Sequence, residues 1–160
     1  MASMNRTSEA ILDGCKTLIA RHGISGASMS EIADEAEVSR ATLYNHHRDK
    51  ESVLRALLER EIAALCALAD SDGSAIAALA AIGERVSTDP ALAAIRNSDF
   101  AIFTQMLTSL EDSLFTQIRS TLTQLVGQAS CENALRWLLG IALAPMSRDE
   151  IARGASTLTA

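Results

Sequence analysis

Apolar residues recur at helical spacing along almost the whole chain, and few residues interrupt that pattern. Alanine and leucine, which both favour helices, dominate the apolar set. Only two prolines occur, at positions 90 and 145. Hydrophobic residues make up 48% of the chain and aromatic residues 3%, so an all-α fold with an aliphatic core is expected. The first stripe of residues expected to be buried, spaced by three and four residues, comprises Ile11, Leu12, Cys15, Leu18, Ile19 and His22.

Helix-start signals divide the N-terminal part into short segments. Ser28 and Glu31 have the spacing of a capping box, in which each side chain accepts a hydrogen bond from the other residue's backbone amide. Ser39 is a suitable N-cap for a second short helix, and Asp49 for the longer helix after it. Residues 28–46 are therefore predicted to form two short capped helices joined by a tight turn, which is the architecture of a helix-turn-helix.

The outward face of the second short helix carries side chains that suit DNA. Arg40 can donate two hydrogen bonds to the edge of a guanine. The methyl groups of Ala41 and Thr42 can contact thymine, and the side chains of Tyr44 and His46 can donate to phosphates. Double-stranded DNA is therefore the expected partner.

The formal net charge of −6 is unusual for a DNA-binding chain, because phosphates attract basic surfaces. The acidity is unevenly distributed. Residues 1–60 carry eight Lys and Arg against nine Asp and Glu, whereas residues 61–160 carry six against eleven. Lys50 adds a cation just after the helix-turn-helix, in a first helical turn whose free amides favour phosphate. The charge distribution therefore permits DNA binding by the N-terminal part and does not establish it.

Several other classes of protein find no support in the sequence. Cys15, Cys66 and Cys131 lie among apolar residues and are expected to be buried free thiols. No metal-ligand spacing, catalytic grouping or glycine-rich phosphate loop is recognisable, so we expect no metal, no cofactor and no enzyme. The longest apolar stretch, residues 137–146, is too short to span a bilayer, and no signal-peptide segment is present. A cytoplasmic protein without membrane contact is expected.

The second half is divided by further signals. Residues 71–74 form the clearest linker signal, and residues 89 and 90 have the pattern of an N-cap followed by a first-turn proline. A long helix is expected over about 99–126, ending at Gly127, and residues 147–150 form a second capping box that begins a final helix.

Two further sites are predicted in the second half. Residues 131–143 are apolar on two sides of one helix, so a second buried contact is implied. The predicted dimer interface comprises Leu135, Trp137, Leu138, Ile141 and Ile151. The predicted lining of an apolar ligand pocket comprises Leu65, Cys66, Phe100, Phe103, Met106 and Leu110. Two alternatives remain open: the dimer-interface residues could instead be buried within one subunit, and the pocket residues could instead be ordinary core.

A series of short motifs follows the spacing of one protein family. It comprises Arg6, Ile11-Leu12, His22-Gly23, Ile32-Ala33, Ala36-Glu37-Val38-Ser39, Ala41-Thr42-Leu43-Tyr44, His46 and Lys50-Glu51. Over roughly residues 6–58 the chain thus resembles the TetR family of transcriptional regulators. The resemblance implies a three-helix DNA-binding domain at residues 1–48. It also implies a helical bundle at residues 49–160 that binds an effector and dimerises.

The resemblance also implies roles for individual residues. Arg40 and Thr42 would read bases, and Tyr44 and Lys50 would hold phosphates. The predicted DNA-binding set, which includes the N-cap Ser39, comprises Ser28, Ser39, Arg40, Ala41, Thr42, Tyr44, His46 and Lys50.

Two residues depart from the family pattern within the matching segment. Glu37 stands where the family usually has glycine in the turn, and a left-handed conformation there would cost about 1 kcal/mol. His47 stands where the family usually has a phenylalanine, and a half-buried imidazole could make the domain sensitive to pH.

Taken together, these features predict a ligand-responsive repressor that binds a palindromic operator as a homodimer and responds to a small apolar effector. Two alternatives stay open. In one, a protein partner rather than a small molecule controls the same DNA-binding domain. In the other, the chain is a helical carrier of an apolar molecule.

Overall fold

The computed structural model describes residues 2–70, 73–109 and 112–159, with side chains except at 2–5, 106–109 and 112–114. Within these ranges the backbone is helical almost throughout and contains no strand, so the all-α prediction is confirmed. The helices are α1 (Ala2–Gly26), α2 (Met29–Glu35), α3 (Arg40–His46), α4 (Lys50–Ala67), α5 (Ala75–Thr88), α6 (Pro90–Ser98), α7 (Phe100–Ser109), α8 (Asp112–Leu143) and α9 (Arg148–Leu158).

Two glycines interrupt regular helix where the sequence predicted helix ends. Gly23 has a φ of 73° and Gly127 a φ of 77°, both in the left-handed region that glycine adopts without strain. Helical backbone resumes after each, so these breaks lie inside α1 and α8. The capping boxes at Ser28 and Ser147 both form, which explains why α2 and α9 begin where they do.

Two predicted segments extend beyond the described residues. Of the linker at 71–74, residues 71–72 lie outside them, and Ser74 caps α5 by accepting a hydrogen bond from the Ala77 amide at 3.2 Å. Of the helix predicted over 99–126, residues 110–111 lie outside, and the remainder is described as α7 and the first part of α8.

The first of two compact units consists of residues 1–60 and 90–107. Helix α1 packs against α2 and α6, and a Cβ added at Gly14 of α1 would lie only 3.0 Å from the backbone nitrogen of Ala36. Arg60 of α4 pairs with two carboxylates of α1, at 3.1 Å from Glu9 and 2.8 Å from Asp13. Fully or almost fully buried side chains of this unit include Ile11, Cys15, Ile19, Ile32, Leu43 and Val53.

The second unit consists of residues 61–89 and 108–160, in which α5, α8 and α9 pack together. Arg148 at the start of α9 donates two hydrogen bonds to the carboxylate of Glu84 on α5, at 2.8 and 3.0 Å. The core of this unit comprises Leu79, Leu122, Cys131, Ala134, Leu135 and Ala155.

All three cysteines are free thiols, as predicted. Cys15 and Cys131 are buried, whereas Cys66 is half-buried and thus departs from the expected full burial. Burial raises the pKa of the Cys15 thiol to about 11, which keeps this sulfur protonated and unreactive at neutral pH.

Candidate nucleic-acid interface

The two short helices of the predicted helix-turn-helix are each fixed at their start by a serine. Ser28 accepts a hydrogen bond from the Glu31 amide at 3.3 Å, and its own amide donates to the Glu31 carboxylate at 2.9 Å. Ser39 accepts from the Thr42 amide at 3.0 Å. These contacts satisfy amides that would otherwise lack partners, and they set the first residues of α2 and α3.

The turn between α2 and α3 is tight and contains one residue in a left-handed conformation. Glu37 has a φ of 54°, so the left-handed conformation considered for this position does occur. Its amide donates to the Asp34 carbonyl at 3.2 Å, and the Val38 amide donates to the Ala33 carbonyl at 3.0 Å. Because glutamate has a Cβ, this geometry is strained there, whereas glycine would adopt it freely.

Helix α3 has one buried face and one exposed face. Leu43 is fully buried and faces a unit core that contains Ile32 and Ala33, which are also fully buried. The tyrosine at position 44 is 53% exposed. The predicted DNA-binding side chains of α3 divide into the exposed Arg40, Ala41 and Tyr44 and the half-buried Thr42 and His46. The polar side chains suited to DNA thus lie on the side of α3 away from the core.

Several side chains of the predicted DNA-binding set make hydrogen bonds within the chain. The Arg40 guanidinium donates to the Ser30 hydroxyl on α2. The hydroxyls of Ser39 and Thr42 lie 2.7 Å apart and share a hydrogen bond. The Ser28 hydroxyl donates to the Glu31 carboxylate at 2.6 Å. These bonds hold the polar groups in fixed orientations, and DNA contact by them stays a prediction.

Lys50, predicted to bind a phosphate, is half-buried and also bonds within the chain. Its ammonium donates to the backbone carbonyl of Ile24 in the turn at the end of α1. An ammonium has three donors, so this bond leaves capacity for a phosphate. The structure therefore gives Lys50 a supporting role that the sequence did not suggest.

An open groove of about 510 Å³ lies beside the end of α3 and the start of α4. It is lined by Tyr44, Asn45, His46, His47, Arg48, Asp49, Glu51, Ser52 and Arg55. Arg48 and Arg55 were absent from the predicted set. Arg48 lies in the loop between α3 and α4 and Arg55 lies in α4, so helical spacing could not have paired them from the sequence.

His47 is half-buried at the edge of this groove. Its Nε2 atom is buried and has no hydrogen-bond partner among the described residues. Burial lowers the pKa of His47, and the neighbouring His46 lowers it further, while a hydrogen bond that the imidazole donates to the backbone of Ser52 opposes both effects. The two imidazole rings lie 6.5 Å apart. The site thus favours a neutral His47.

The residues of the predicted ligand pocket have mixed environments. Phe103 is 7% exposed and Phe100 is 51% exposed, both in the first unit. Leu65 and Cys66 are half-buried in the second unit. The Met106 side chain and all of Leu110 lie outside the described residues. A pocket built from this set stays a prediction, and the high exposure of Phe100 does not fit a closed cavity wall.

Four of the five residues of the predicted dimer interface are buried within their own chain. The exposure of Leu135, Leu138, Ile141 and Ile151 is between 0% and 7%. Trp137 packs against two helical glycines. A Cβ added at Gly154 would lie 2.4 Å from the indole nitrogen of Trp137, and a Cβ added at Gly83 would lie 3.0 Å from the Trp137 ring. Burial within one subunit, the alternative left open above, describes the four aliphatic side chains in the single chain, whereas Trp137 is half-buried. The part of all five residues in a dimer stays a prediction.

Two other observations concern the described residues. They contain no group of three or more His, Cys, Asp or Glu placed to hold a metal ion. Nor does any helix in the described ranges combine the length and the apolar character that a bilayer crossing requires.

Comparison with solved structures identifies the fold. The fatty acid degradation regulator FadR from Bacillus halodurans is 15% identical, with a TM-score of 0.71 over 95% of this chain and 93% of that one. The TetR family repressor AlkX from a Dietzia strain, implicated in biodegradation of n-alkanes, is 18% identical, with a TM-score of 0.65 over 94% of each chain. FadR from Bacillus subtilis in complex with stearoyl-CoA is 14% identical, with a TM-score of 0.60 over 94% of this chain and 95% of that one.

Comparison with family models identifies the N-terminal segment. Residues 11–57 match the model described as bacterial regulatory proteins, tetR family, while no curated protein matches the chain. The matched residues contain α2, the left-handed turn, α3 and the start of α4, together with most of α1. The resemblance stated from the short motifs is thereby confirmed. Residues 11–57 thus match the tetR family of bacterial regulatory proteins, and the whole chain has an all-helical fold similar to that of solved regulators described by that family name.

Proposed function

We propose that this chain is a ligand-responsive transcriptional repressor that binds a palindromic operator as a homodimer. The observation that carries the proposal is the two-sided character of α3. Its apolar anchor Leu43 is fully buried, while Arg40 and Tyr44 are exposed on the other side of a helix capped at its first turn. A short, rigidly held helix with an exposed polar face is what the major groove admits.

In this proposal Arg40 reads a guanine and Tyr44 holds a phosphate. Arg40 lies in the first turn of α3, and in a helix-turn-helix the N-terminal residues of the second helix reach the base edges. The Arg40–Ser30 hydrogen bond supports this role, because it orients the guanidinium before DNA arrives. Two copies of α3 in a symmetric dimer would lie about 34–36 Å apart to read one turn of DNA.

Binding is expected to depend on salt through a small set of cations. Arg48 is 90% exposed in its side chain and lies in the loop directly after α3. Together with Lys50 it offers positive charge beside the exposed face of α3, although the chain as a whole carries a net charge of −6. The logarithm of the binding constant falls linearly with the logarithm of the salt concentration, with a slope of about one per phosphate contact, so a few contacts give a shallow dependence.

The homodimer needs a surface that the single chain leaves free. In α8, the side chain of Leu143 is 36% exposed. We propose that this part of α8 contributes to the dimer, since Leu143 is a large apolar side chain that the single chain leaves exposed. Leu143→Glu should then shift the sedimentation coefficient at micromolar concentration from dimer to monomer. A wild-type chain that sediments as a monomer would contradict the dimer.

The effector is proposed to be a small apolar molecule. The fold admits such ligands, because the Bacillus subtilis FadR of the same fold was solved in complex with stearoyl-CoA. A melting temperature that rises with added fatty acid or acyl-CoA, by mass action, would support it. A protein partner is the alternative, and it predicts no such rise with any small molecule. In either case the regulator acts on DNA in the cytoplasm.

The experiment that tests DNA binding is a gel shift with the DNA segment upstream of the chain's own gene. Arg40→Ala should weaken binding by about ten-fold or more, since a good bidentate base contact is worth roughly 1–3 kcal/mol. The matched control is Arg136→Ala, which removes an exposed arginine from a helix of the second unit. Both variants should keep the wild-type circular dichroism. Equal affinity of Arg40→Ala and wild type would overturn the assignment of α3.

A further inference from the structure

One aspartate of the first unit is almost completely buried and is bonded to a distant part of the chain. Asp99 is 5% exposed and lies between α6 and α7. Its carboxylate accepts hydrogen bonds from the Ile24 amide at 2.7 Å, from the Ser25 amide at 3.3 Å and from the Ser25 hydroxyl. Its own backbone carbonyl accepts from the Phe103 amide at 2.9 Å, so the same residue also caps α7.

The backbone at the break inside α1 directs two amides towards the Asp99 carboxylate. Gly23 has a φ of 73°, which turns the following amides of Ile24 and Ser25 towards Asp99. A Cβ at Gly23 would lie 2.2 Å from Asp99 Oδ2 and 3.2 Å from the Ser98 Cβ. Position 23 must therefore lack a side chain for two reasons, the backbone conformation and the space that the carboxylate fills.

The turn held by Asp99 supports the helix-turn-helix on two sides. The Ile24 carbonyl accepts the ammonium hydrogen bond of Lys50 at the start of α4. Four residues after Ile24, Ser28 begins α2 through its capping box. The end of α1, the start of α2, the start of α4 and the junction of α6 with α7 therefore meet at one short turn.

We propose that Asp99 is a positioning residue for DNA binding, which fixes the Ile24–Ser25 turn and through it the orientation of α2, α3 and the start of α4. This inference rests on the proposed DNA-binding function. The Asp99 carboxylate would be the contact through which residues 90–107 influence the orientation of the helix-turn-helix. Any displacement of the junction between α6 and α7 would reach the helix-turn-helix through this carboxylate, because it bonds two consecutive amides 74 and 75 residues away in the sequence.

The carboxylate keeps its charge at physiological pH. The hydrogen bond from the Ser25 hydroxyl, the two amide bonds and the nearby Lys50 together lower the pKa of Asp99 below its usual range, although burial acts in the opposite direction. Hydrogen bonds to an ionised acceptor are stronger than those to a neutral one. Replacement by asparagine therefore weakens the contact while preserving its size.

The test compares DNA affinity and amide exchange in Asp99→Asn, Asp99→Ala and wild type. We expect a roughly ten-fold loss of affinity in Asp99→Ala, within the usual range of coupling between sites, and a smaller loss in Asp99→Asn. The amides of Ile24 and Ser25, and those of α2, should exchange faster with deuterium in both variants. Ser147→Ala is the stability control, because it removes a capping box from α9 in the second unit. It should lower stability without changing DNA affinity.

Two further variants keep the test decisive if Asp99→Ala does not fold. Ser25→Ala removes one bond to the carboxylate at an exposed residue and should weaken DNA binding by a few-fold. Gly23→Ala strains the backbone and also displaces the Asp99 carboxylate, so its effect on affinity should be less than additive with Asp99→Asn.

The outcomes separate the two proposals. Folded Asp99 and Ser25 variants with wild-type DNA affinity would overturn the positioning role and leave the proposed function standing. A wild-type chain that binds no DNA would overturn the proposed function. The exchange data would then decide the positioning role alone: unchanged exchange from Ile24 through α2 in Asp99→Asn would overturn it.

Discussion

The Arg40 guanidinium at the start of α3 donates a hydrogen bond to the Ser30 hydroxyl on α2. This bond joins the two helices of the helix-turn-helix through a side chain that is itself proposed to read DNA. An arginine held in place loses less conformational freedom on binding than one that moves freely in solvent. The serine is thus expected to contribute to affinity without touching DNA.

The first prediction concerns this serine. Ser30→Ala should lower DNA affinity by about three- to ten-fold, because it releases Arg40 at a cost near that of one hydrogen bond. Fluorescence anisotropy with a labelled operator measures the change. In the Arg40→Ala background, Ser30→Ala should have no further effect. An equal loss in both backgrounds would show that Ser30 acts independently of Arg40.

The second prediction concerns the left-handed turn residue. Glu37 is exposed and has a φ of 54°, so Glu37→Gly removes backbone strain and no buried contact. The free energy of unfolding should rise by about 0.5–1 kcal/mol, because glycine's larger unfolded-state entropy offsets part of the relief. Urea unfolding measures it. Glu37→Ala retains a Cβ and should give no such gain, and equal stability of the two variants would contradict the strain.

The third prediction concerns the pH dependence of stability. Burial lowers the pKa of His47 in the folded chain, so on acidification the unfolded chain takes up the proton first. Stability contributed by the neutral imidazole is therefore present above about pH 6.5 and is lost as pH falls through the folded pKa. His47→Phe should lose less stability than wild type between pH 7.5 and about 5.5, measured by urea unfolding.

His22 offers the control for this comparison. The prediction that His22 lies in the buried stripe of α1 is wrong, because its side chain is exposed at the end of the stripe. His22→Gln should therefore leave the stability lost between pH 7.5 and about 5.5 unchanged. Wild type and His47→Phe losing equal stability on acidification would mean that His47 does not carry the pH dependence.

The fourth prediction compares two glycines in the second unit. A Cβ at Gly154 would lie 2.4 Å from the Trp137 indole nitrogen, whereas a Cβ at Gly140 would meet no atom within 4 Å. Gly154→Ala should therefore lower the melting temperature, since overpacking costs about 1–3 kcal/mol. Gly140→Ala should raise it, because alanine is favoured over glycine in a helix by about 0.5–1 kcal/mol. Changes of the same sign at both positions would contradict the described packing of Trp137.

Local sequence signals predicted the helices and the exposed face of α3, because those features depend on neighbouring residues. Ser28 and Ser39 specify helix starts within three residues of themselves, and Leu43 specifies which side of α3 is buried. The helix breaks at Gly23 and Gly127 also follow from local signals, although helical backbone resumes after each.

Other features depended on contacts between distant residues, and the sequence could not supply them. Nothing near position 99 indicates that Asp99 bonds the turn after Gly23, and nothing near position 50 indicates that Lys50 bonds the Ile24 carbonyl. The apolar second face around Trp137 implied a further contact, and within the single chain Trp137 lies against α5 and α9, while contact with a partner stays a prediction. Periodicity shows that a face is buried and not what covers it.

The most direct test of the central claim is the salt dependence of operator binding for wild type and Arg40→Ala, measured by anisotropy between about 50 and 200 mM salt. If α3 reads DNA through Arg40, the variant should bind the operator at least ten-fold more weakly at every salt concentration while its affinity for unrelated DNA changes little. If Arg40→Ala lost equal affinity for the operator and for unrelated DNA, Arg40 would contact a phosphate and not read a base. Unchanged affinity for both would contradict the account.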